Sequence, residues 1–419
     1  MPDPGTPRTA SAMLRGGVIG LICGVMISTS ADDRPGYIAS SPPPPATVTP
    51  DPGAALDARI VPIVDRVMRS MAVPGVVVRV RTPSTVWSHA FGTRVIGTDD
   101  PIGAGDFFRV GSVTKTMVGT VALQLVREGR LRLDDPVSRF RSDVPGGTGI
   151  TVADLLDMRS GLFSYNEDPA FAWALDRNPA RVWEPEELLA IALREAPYSA
   201  PDTEFRYSNT NTVLMALIIE QVTGDSIATE LSRRIFGPLG LTQTFFPVPG
   251  DATVPPPSPH GYMYGSNASA LISPRLPDDR LSAARAGTLL PTDVTALNPT
   301  WIWAAGGVIS TAADLTTYAR ALVGGTGLLD GDLQRARVDS AAPLDPLDPT
   351  ANHYGLGLES FGPMFGHDGA IPGFQTFMGH DPIRDVTIIV FCTMRDGPAG
   401  GRPANEIAYD IVRSMYGAP

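Results

Sequence analysis

Between residues 56 and 91, the pattern of hydrophobic and polar positions predicts a helix followed by a β-hairpin. From Leu56 to Met71, hydrophobic residues recur three and four positions apart, as in a helix with one buried face. Val76–Val80 and Thr85–Phe91 are short segments rich in β-branched and aromatic residues, which is typical of paired strands. These two segments are therefore predicted to lie side by side in an antiparallel sheet.

The rest of the pattern places helices in the middle of the chain and strands near its end. From Ser112 to about Leu322, helical spacing predominates between Pro- and Gly-rich loops. The later strands and the helix after them are predicted at Tyr354–Glu359, Gln375–Gly379, Val386–Cys392 and Ala404–Met415. This order predicts an α+β fold, in which both termini complete one antiparallel sheet flanked by helices and a mostly helical region is inserted.

The N-terminus has the pattern of an export signal. Two arginines precede the apolar run Gly16–Ile27, and small residues follow as far as Ala31. The run is shorter than the roughly 20 residues that cross a bilayer, so residues 1–31 are predicted to be a cleaved signal peptide, with an uncleaved membrane anchor as the alternative. Residues 32–54 are predicted to be a Pro-rich linker, and 55–419 the folded domain of an exported protein, secreted or associated with the cell envelope.

Charge and cysteine content exclude several classes of function. The formal net charge of −11 leaves no basic face for nucleic acid, so no nucleic-acid partner is expected. Cys392 is the only cysteine left once the N-terminal segment is removed, which rules out an intramolecular disulfide. No Cys/His cluster has metal-ligand spacing, so no metal site is expected. The acyl-transfer chemistry described below implies no organic cofactor either.

The strongest chemical signal is the position of the single lysine of the chain. Among 33 basic residues only Lys115 is a lysine, and it follows Ser112 by three positions at the start of a predicted buried helix. Arginine stays protonated in proteins, whereas burial can bring a lysine amine near neutrality, so a base is the role that arginine cannot fill. One helical turn places the hydroxyl and the amine on the same face. Ser112 is therefore predicted to be a nucleophile activated by Lys115, and a chance spacing with a surface lysine is disfavoured.

Three motifs in order resemble the penicillin-recognising serine hydrolases, the family of class C β-lactamases and D-alanyl-D-alanine carboxypeptidases. Ser-x-x-Lys is Ser112 to Lys115, Tyr-x-Asn is Tyr207-Ser208-Asn209, and the third is His367-Asp368-Gly369. Flanking segments, such as those around 108–111, 129–137 and 305–311, resemble the family as well. The resemblance covers about residues 55–415.

The resemblance implies a role for each motif residue. Tyr207 would shuttle a proton between Ser112 and the leaving group if Lys115 lowers its pKa. Asn209 would hold Lys115 and a substrate amide carbonyl at once.

In the third motif, His367 would lie on the inner edge strand, facing the serine, as a positive or hydrogen-bonding group. The backbone N–H groups of Ser112 and Ala370 would form the oxyanion hole, and Gly369 would leave room for substrate.

One residue departs from the family pattern. Where carboxypeptidases and β-lactamases usually have a hydroxyl that helps to bind a substrate carboxylate, this chain has Asp368. An ionised aspartate would repel a terminal carboxylate unless His367 is protonated or an arginine compensates. This favours esters or amides without a free carboxylate, or D-amino-acid peptides.

The sequence therefore predicts a serine hydrolase that cleaves an ester or amide through an acyl-enzyme, carboxypeptidase-like or esterase-like, with a small molecule or peptide as its partner. The alternative is a non-catalytic cell-wall or peptide-binding module that keeps the fold. Direct participation of His260 is a further hypothesis that rests on the family likeness of its loop. Oligomeric state leaves no signal in the sequence.

Overall fold

The structure is a computed structural model that describes residues 52–248, 250–345, 347–348 and 352–417. The predicted signal peptide, 1–31, lies outside these residues, as does most of the predicted linker, 32–54. The described residues belong to one unit, 50–419. Its first helix begins at Pro52, because proline is well tolerated in the first turn of a helix, so the last three residues assigned to the linker are helical.

Most strands lie at the two ends of the unit. The strands are β1 (Gly75–Arg81), β2 (Val86–Gly92), β3 (Phe108–Arg109), β4 (Tyr262–Met263), β5 (Thr292–Asp293), β6 (Ile309–Ser310), β7 (Ala342–Pro343), β8 (His353–Gly355), β9 (Leu358–Phe361), β10 (Met364–Ile371), β11 (Phe374–Asp381) and β12 (Val386–Cys392). Eight of them form one antiparallel sheet in the order β2–β1–β12–β11–β10–β9–β8–β7. The predicted α+β fold, with a sheet completed by both ends of the domain, is confirmed.

Helices fill the region between these strands and flank the sheet. They are α1 (Pro52–Met71), α2 (Val113–Arg127), α3 (Val152–Leu156), α4 (Pro169–Arg177), α5 (Pro185–Ala192), α6 (Asn209–Thr223), α7 (Ile227–Leu231), α8 (Gly237–Leu239), α9 (Asn267–Ile272), α10 (Asp278–Arg285), α11 (Ala312–Gly324), α12 (Gly331–Asp339) and α13 (Pro403–Tyr416). In the described residues, none is both long and apolar enough to cross a membrane.

The two faces of the sheet contact different helices. Side chains alternate along a strand, so Val78 of β1 packs in the cluster that contains α1 and α13, whereas Val77 packs in the larger cluster that contains α2 and α11. Helix α2 is buried along nearly its whole length between the sheet and the helical region. Its first turn lies where the sheet meets that region.

One predicted strand, Tyr354–Glu359, is two strands in the structure. A turn at Leu356 and Gly357 separates β8 from β9, and Gly355 pairs with Leu358 across it. Gly357 has φ +65°, a backbone conformation that glycine adopts easily and other residues rarely adopt. The chain therefore reverses within the segment predicted as continuous.

Strand β10, which contains the third motif, is not an edge strand of the sheet. It pairs with β11 from Phe365 to Ile371, and with β9 on the other side. The pairing with β9 ends at Gly366. From His367 onward, this side of β10 faces the start of α2 and borders the site described next.

Candidate active site

Ser112 is held at the first turn of α2 by a close approach of two backbones. Gly111 has φ +57°, and a Cβ there would lie 2.9 Å from the nitrogen of Ala370. A Cβ at Gly369 would lie 2.0 Å from the carbonyl oxygen of Val110. The prediction explained this glycine by room for substrate, but the backbone of the protein itself occupies the space that a side chain would need.

Lys115 points back toward the serine, as predicted from the spacing. Its Nζ donates to Ser112 Oγ over 3.0 Å and to the carbonyl oxygen of Ala305 over 2.6 Å, and the side chain is buried. The Ala305 carbonyl is brought there by the pairing of β3 with β6, which continues in a hydrogen bond from the N–H of Val110 to the oxygen of Val308. Two distant parts of the chain thus fix the amine beside the hydroxyl.

The amine of Lys115 titrates near neutral pH. Burial lowers the pKa of Lys115 from 10.5 to about 7, and the negative charge of Asp368 opposes this shift. When protonated, the ammonium group donates to Ser112 Oγ. When neutral, its lone pair can accept the hydroxyl proton. The pair therefore has the chemistry of a nucleophile beside its base.

Tyr207 lies next to this pair, but its pKa is raised, whereas a lowered pKa was the stated condition for proton transfer. Lys115 Nζ is 5.0 Å from the centroid of its ring. Burial raises the pKa of Tyr207 well above its ordinary value, although a hydrogen bond with Ser112 opposes the shift. The condition stated for proton transfer by Tyr207, that Lys115 lowers its pKa, is not met. The phenol keeps its proton and can donate it.

Asn209, the first residue of α6, does not make the predicted contact with Lys115, and its contact with a substrate carbonyl stays a prediction. Its Nδ2 donates to Asn166 Oδ1 over 2.7 Å, and its buried Oδ1 has no partner among the described residues. Lys115 donates to Ser112 and to Ala305 instead. Asn209 lines the same cleft as Ser112, but another asparagine occupies its amide nitrogen.

His367 lies behind the cleft wall and does not line the cleft. Its side chain is 1% exposed, and its ring centroid is 6.1 Å from that of Tyr207. Nδ1 contacts the backbone oxygen of Asp368, which can only accept, so Nε2 accepts from the Tyr354 hydroxyl over 3.2 Å. Burial lowers the pKa of His367 to about 4. The positive charge expected as one option is absent at neutral pH, and Nε2 contacts Tyr354, which itself lines the cleft.

Asp368 is neutralised by partners from the start of α13. Its Oδ2 accepts from Arg402 over 3.0 Å and from Asn405 over 2.7 Å. The predicted repulsion of a substrate carboxylate applied unless an arginine compensates, and Arg402 does. Arg395 and Asp396 form a second ion pair that lines the cleft.

The remaining predicted site residues separate into two groups. Ala370 lies beside Ser112 and lines the cleft with it, which is where an oxyanion hole requires its N–H.

His260 does not line the cleft. Its Nδ1 is 2.6 Å from Asp293 Oδ2, and 41% of its side chain is exposed. The hypothesis that His260 takes part directly is not supported.

Several residues that line the cleft were missed at the sequence level. The cleft has a volume of about 560 Å³, and these residues include Asn166, Tyr354, Glu359 and Arg402. None belongs to a recognised motif, so only the folded chain brings them to Ser112.

Glu359, His367 and Asp368 bring possible metal ligand atoms within 4.8 Å of one another. Asp368 already binds Arg402 and Asn405, and His367 binds Tyr354. A cation here would have to compete with these partners, and the expectation of no metal stays a prediction.

A Ser–Lys pair on a helix packed against a sheet that both ends of the domain complete is the arrangement of the penicillin-recognising serine hydrolases. The Beta-lactamase family model matches residues 61–412, and the chain belongs to this family.

Solved structures of amide-cleaving enzymes are similar to the chain over nearly their whole length. A D-stereospecific amidohydrolase from Streptomyces sp. is 30% identical with a TM-score of 0.71, over 88% of this chain and 99% of that one. The D-amino acid amidase from Ochrobactrum anthropi, solved with D-phenylalanine, is 25% identical with a TM-score of 0.69, over 87% of this chain and all of that one.

Penicillin-binding protein 4* of Bacillus subtilis is 25% identical over 316 residues. The match covers 73% of this chain but 64% of that relative, so the chain spans a little under two thirds of its length.

Proposed function

We propose that the protein hydrolyses the amide or ester of a D-amino-acid derivative through an acyl-enzyme on Ser112. The observation that carries the proposal is the 3.0 Å hydrogen bond between Ser112 Oγ and a buried Lys115 whose pKa is about 7. The names of the Streptomyces and Ochrobactrum relatives support the D-configured amide as substrate.

Acylation moves one proton and exchanges one bond. The neutral amine of Lys115 accepts the hydroxyl proton as Ser112 Oγ bonds to the substrate carbonyl carbon. The N–H groups of Ser112 and Ala370 stabilise the resulting oxyanion. The Tyr207 phenol donates its proton to the leaving nitrogen or oxygen as the carbon bond to that atom breaks, and it regains a proton from the Lys115 ammonium group. Water then repeats the sequence in place of Ser112 and releases the acid.

The charges that line the cleft favour a neutral leaving group. Arg402 pairs with Asp368, and Arg395 pairs with Asp396, so each lining arginine is offset by a carboxylate. A terminal carboxylate would have to compete with these aspartates, whereas a carboxamide or an alcohol would not. This supports amidase or esterase activity over removal of a free C-terminal D-alanine.

A substrate panel tests this proposal in the purified full chain. We expect D-phenylalanine amide and D-phenylalanine methyl ester to be hydrolysed faster than their L-forms and faster than a D-Ala-D-Ala peptide. The Ser112→Ala variant should lose this activity, and an intact-mass adduct with a slow ester or β-lactam probe should appear in the wild type alone. Absence of both turnover and adduct would instead support the non-catalytic binding module.

A further inference from the structure

A second cavity, with a volume of about 370 Å³, lies next to the active-site cleft. Among the described residues, none lines both, but the two spaces meet along one segment of the chain. Ile302 of this segment lines the cleft, whereas Trp303 and Gly307 line the second cavity. Its volume falls in the range of about 300 to 1,000 Å³ that is usual for sites of small organic ligands.

Aromatic side chains form part of the lining of the second cavity. Trp303 and Phe246 have no ring or cation stacked on them within the described residues, so both rings are available to a ligand. A third lining ring, that of Trp183, already has the guanidinium carbon of Arg181 3.6 Å from its centroid. The faces of such rings carry partial negative charge and attract cations.

The charged side chains that line the second cavity are all carboxylates. They are Glu184, Glu186 and Glu220, and no basic residue lines the cavity in the part of the chain that the structure describes. Glu186 pairs with Arg141 over 2.9 Å. Neither of the other two glutamates makes an ion pair within the described ranges. The cavity therefore has an excess of negative charge beside its aromatic rings.

Glu220 is partly buried on α6, and its only hydrogen bond among the described residues is from the N–H of Ile227, over 2.8 Å. Burial raises the pKa of Glu220, and the negative charge of Glu186 adds to this shift, whereas the bond from Ile227 opposes it. A cation beside the carboxylate would offset both unfavourable effects. The short turn Trp303–Ala305 contacts α6, which brings an aromatic ring to the same region.

A ligand can enter this cavity from solvent, because Glu184 and Glu186 are exposed. An anion would be repelled by the carboxylates, and a neutral molecule would leave them without a counter-ion. The charge and the aromatic lining together therefore select one chemical class of ligand.

We propose that the second cavity is a binding site for an organic cation with an apolar body, such as a hydrophobic ammonium compound. The charged nitrogen lies between the Glu220 carboxylate and the ring of Trp303, and the apolar body packs against the remaining rings. The site is separate from Ser112 and takes no part in acyl transfer.

Binding of benzyltrimethylammonium to the purified full-length chain tests this inference. This probe joins an aromatic ring to a permanently charged nitrogen. In isothermal titration calorimetry we expect saturable binding with a Kd of about 1 mM or lower. Benzyl alcohol and benzenesulfonate, which carry the same ring without a positive charge, should bind at least about tenfold more weakly.

Two variants and a matched control locate the bound cation. Glu220→Gln keeps an oxygen acceptor for the N–H of Ile227 but removes the charge, so the Kd should rise about tenfold or more. Trp303→Leu removes the aromatic face and should raise the Kd about threefold or more, which keeps the test decisive if Glu220→Gln does not fold. Asp396→Asn removes one negative charge from the cleft instead and should leave the Kd unchanged.

Two results would overturn the inference. The first is a wild type that shows no saturable binding, or that binds benzyl alcohol as tightly as the cation. The second is a Kd that rises in Asp396→Asn but not in folded Glu220→Gln and Trp303→Leu proteins, because this would place the cation in the active-site cleft.

Discussion

Lys115 can act as a base because the fold takes its amine out of water. Its Nζ has the Ser112 hydroxyl and one backbone carbonyl as partners, and its side chain makes no ion pair among the described residues. Charging a buried amine that lacks a counter-ion is costly, which lowers its pKa. The same burial leaves the Tyr207 phenol protonated. One desolvated space therefore contains both a base and an acid at neutral pH.

Replacing Tyr207 by phenylalanine tests the proton-donating half of this arrangement. A protonated phenol matters most when the leaving group is poor, so we expect Tyr207→Phe to lower amide hydrolysis by about 10²- to 10⁴-fold. Hydrolysis of an activated aryl ester, whose leaving group needs no proton, should fall much less. Parallel kinetics on the two substrates measure the difference, and equal losses would contradict the role of Tyr207 as acid.

Only some of these residue roles could be predicted from the sequence. The Ser112–Lys115 contact follows from one helical turn and from the scarcity of lysine. The partners of Asn209 do not, because Asn166 is 43 residues away in the sequence and lies in a loop without a motif. The pKa of Tyr207 likewise depends on desolvation, which no spacing in the sequence records.

Two elements, β10 and the start of α2, meet more closely than side chains allow. Glycines at 111 and 369 make the approach possible, and it places the N–H groups of Ser112 and Ala370 side by side. The oxyanion hole that we propose would therefore depend on how a strand and a helix pack rather than on either element alone.

Gly369→Ala tests this contact between elements. The new methyl group would clash with the oxygen of Val110, so β10 must shift away from α2. We expect a loss of about 1 to 3 kcal/mol in the free energy of unfolding and at least a tenfold fall in kcat. Gly331→Ala, at the surface start of α12, is the control. Normal kcat in a stable Gly369→Ala protein would mean that this spacing is not needed for catalysis.

The limits of sequence-based prediction are clearest for the strands near the site. β12 and β1 are continuous β-branched and apolar segments, and their bounds were predicted closely. β10 contains Gly366, Asp368 and Gly369, which have low intrinsic preference for strands, and the hydrophobic pattern did not identify it. Its glycines are required by neighbours distant in the sequence. The tertiary contacts that form the site therefore require residues that weaken the strand pattern in the sequence of β10.

On the scale of the whole molecule, the two ends of the domain support the sheet from the face opposite the site. Helices α1 and α13 contact each other and cover strands β1, β11 and β12. Ile407 of α13 is fully buried there, whereas the ion pair between Arg66 and Glu406 is largely exposed. Burial rather than charge should therefore hold the two termini together.

Chemical denaturation of two variants tests this division. Ile407→Ala leaves a cavity under α13 and should cost about 2 to 4 kcal/mol in the free energy of unfolding. Arg66→Ala removes an exposed ion-pairing side chain and should cost less than about 1 kcal/mol. A larger cost for Arg66→Ala would show that charge pairing between the terminal helices dominates.

The pH dependence of acylation tests most directly whether a neutral Lys115 activates Ser112. Because the amine has a pKa of about 7 and is active when deprotonated, kcat/KM for an ester should fall about tenfold per pH unit below that value and level off above it. Lys115→Arg, whose guanidinium stays protonated, should be inactive across the same range. A flat profile in the wild type, or acylation that persists in Lys115→Arg, would contradict the account.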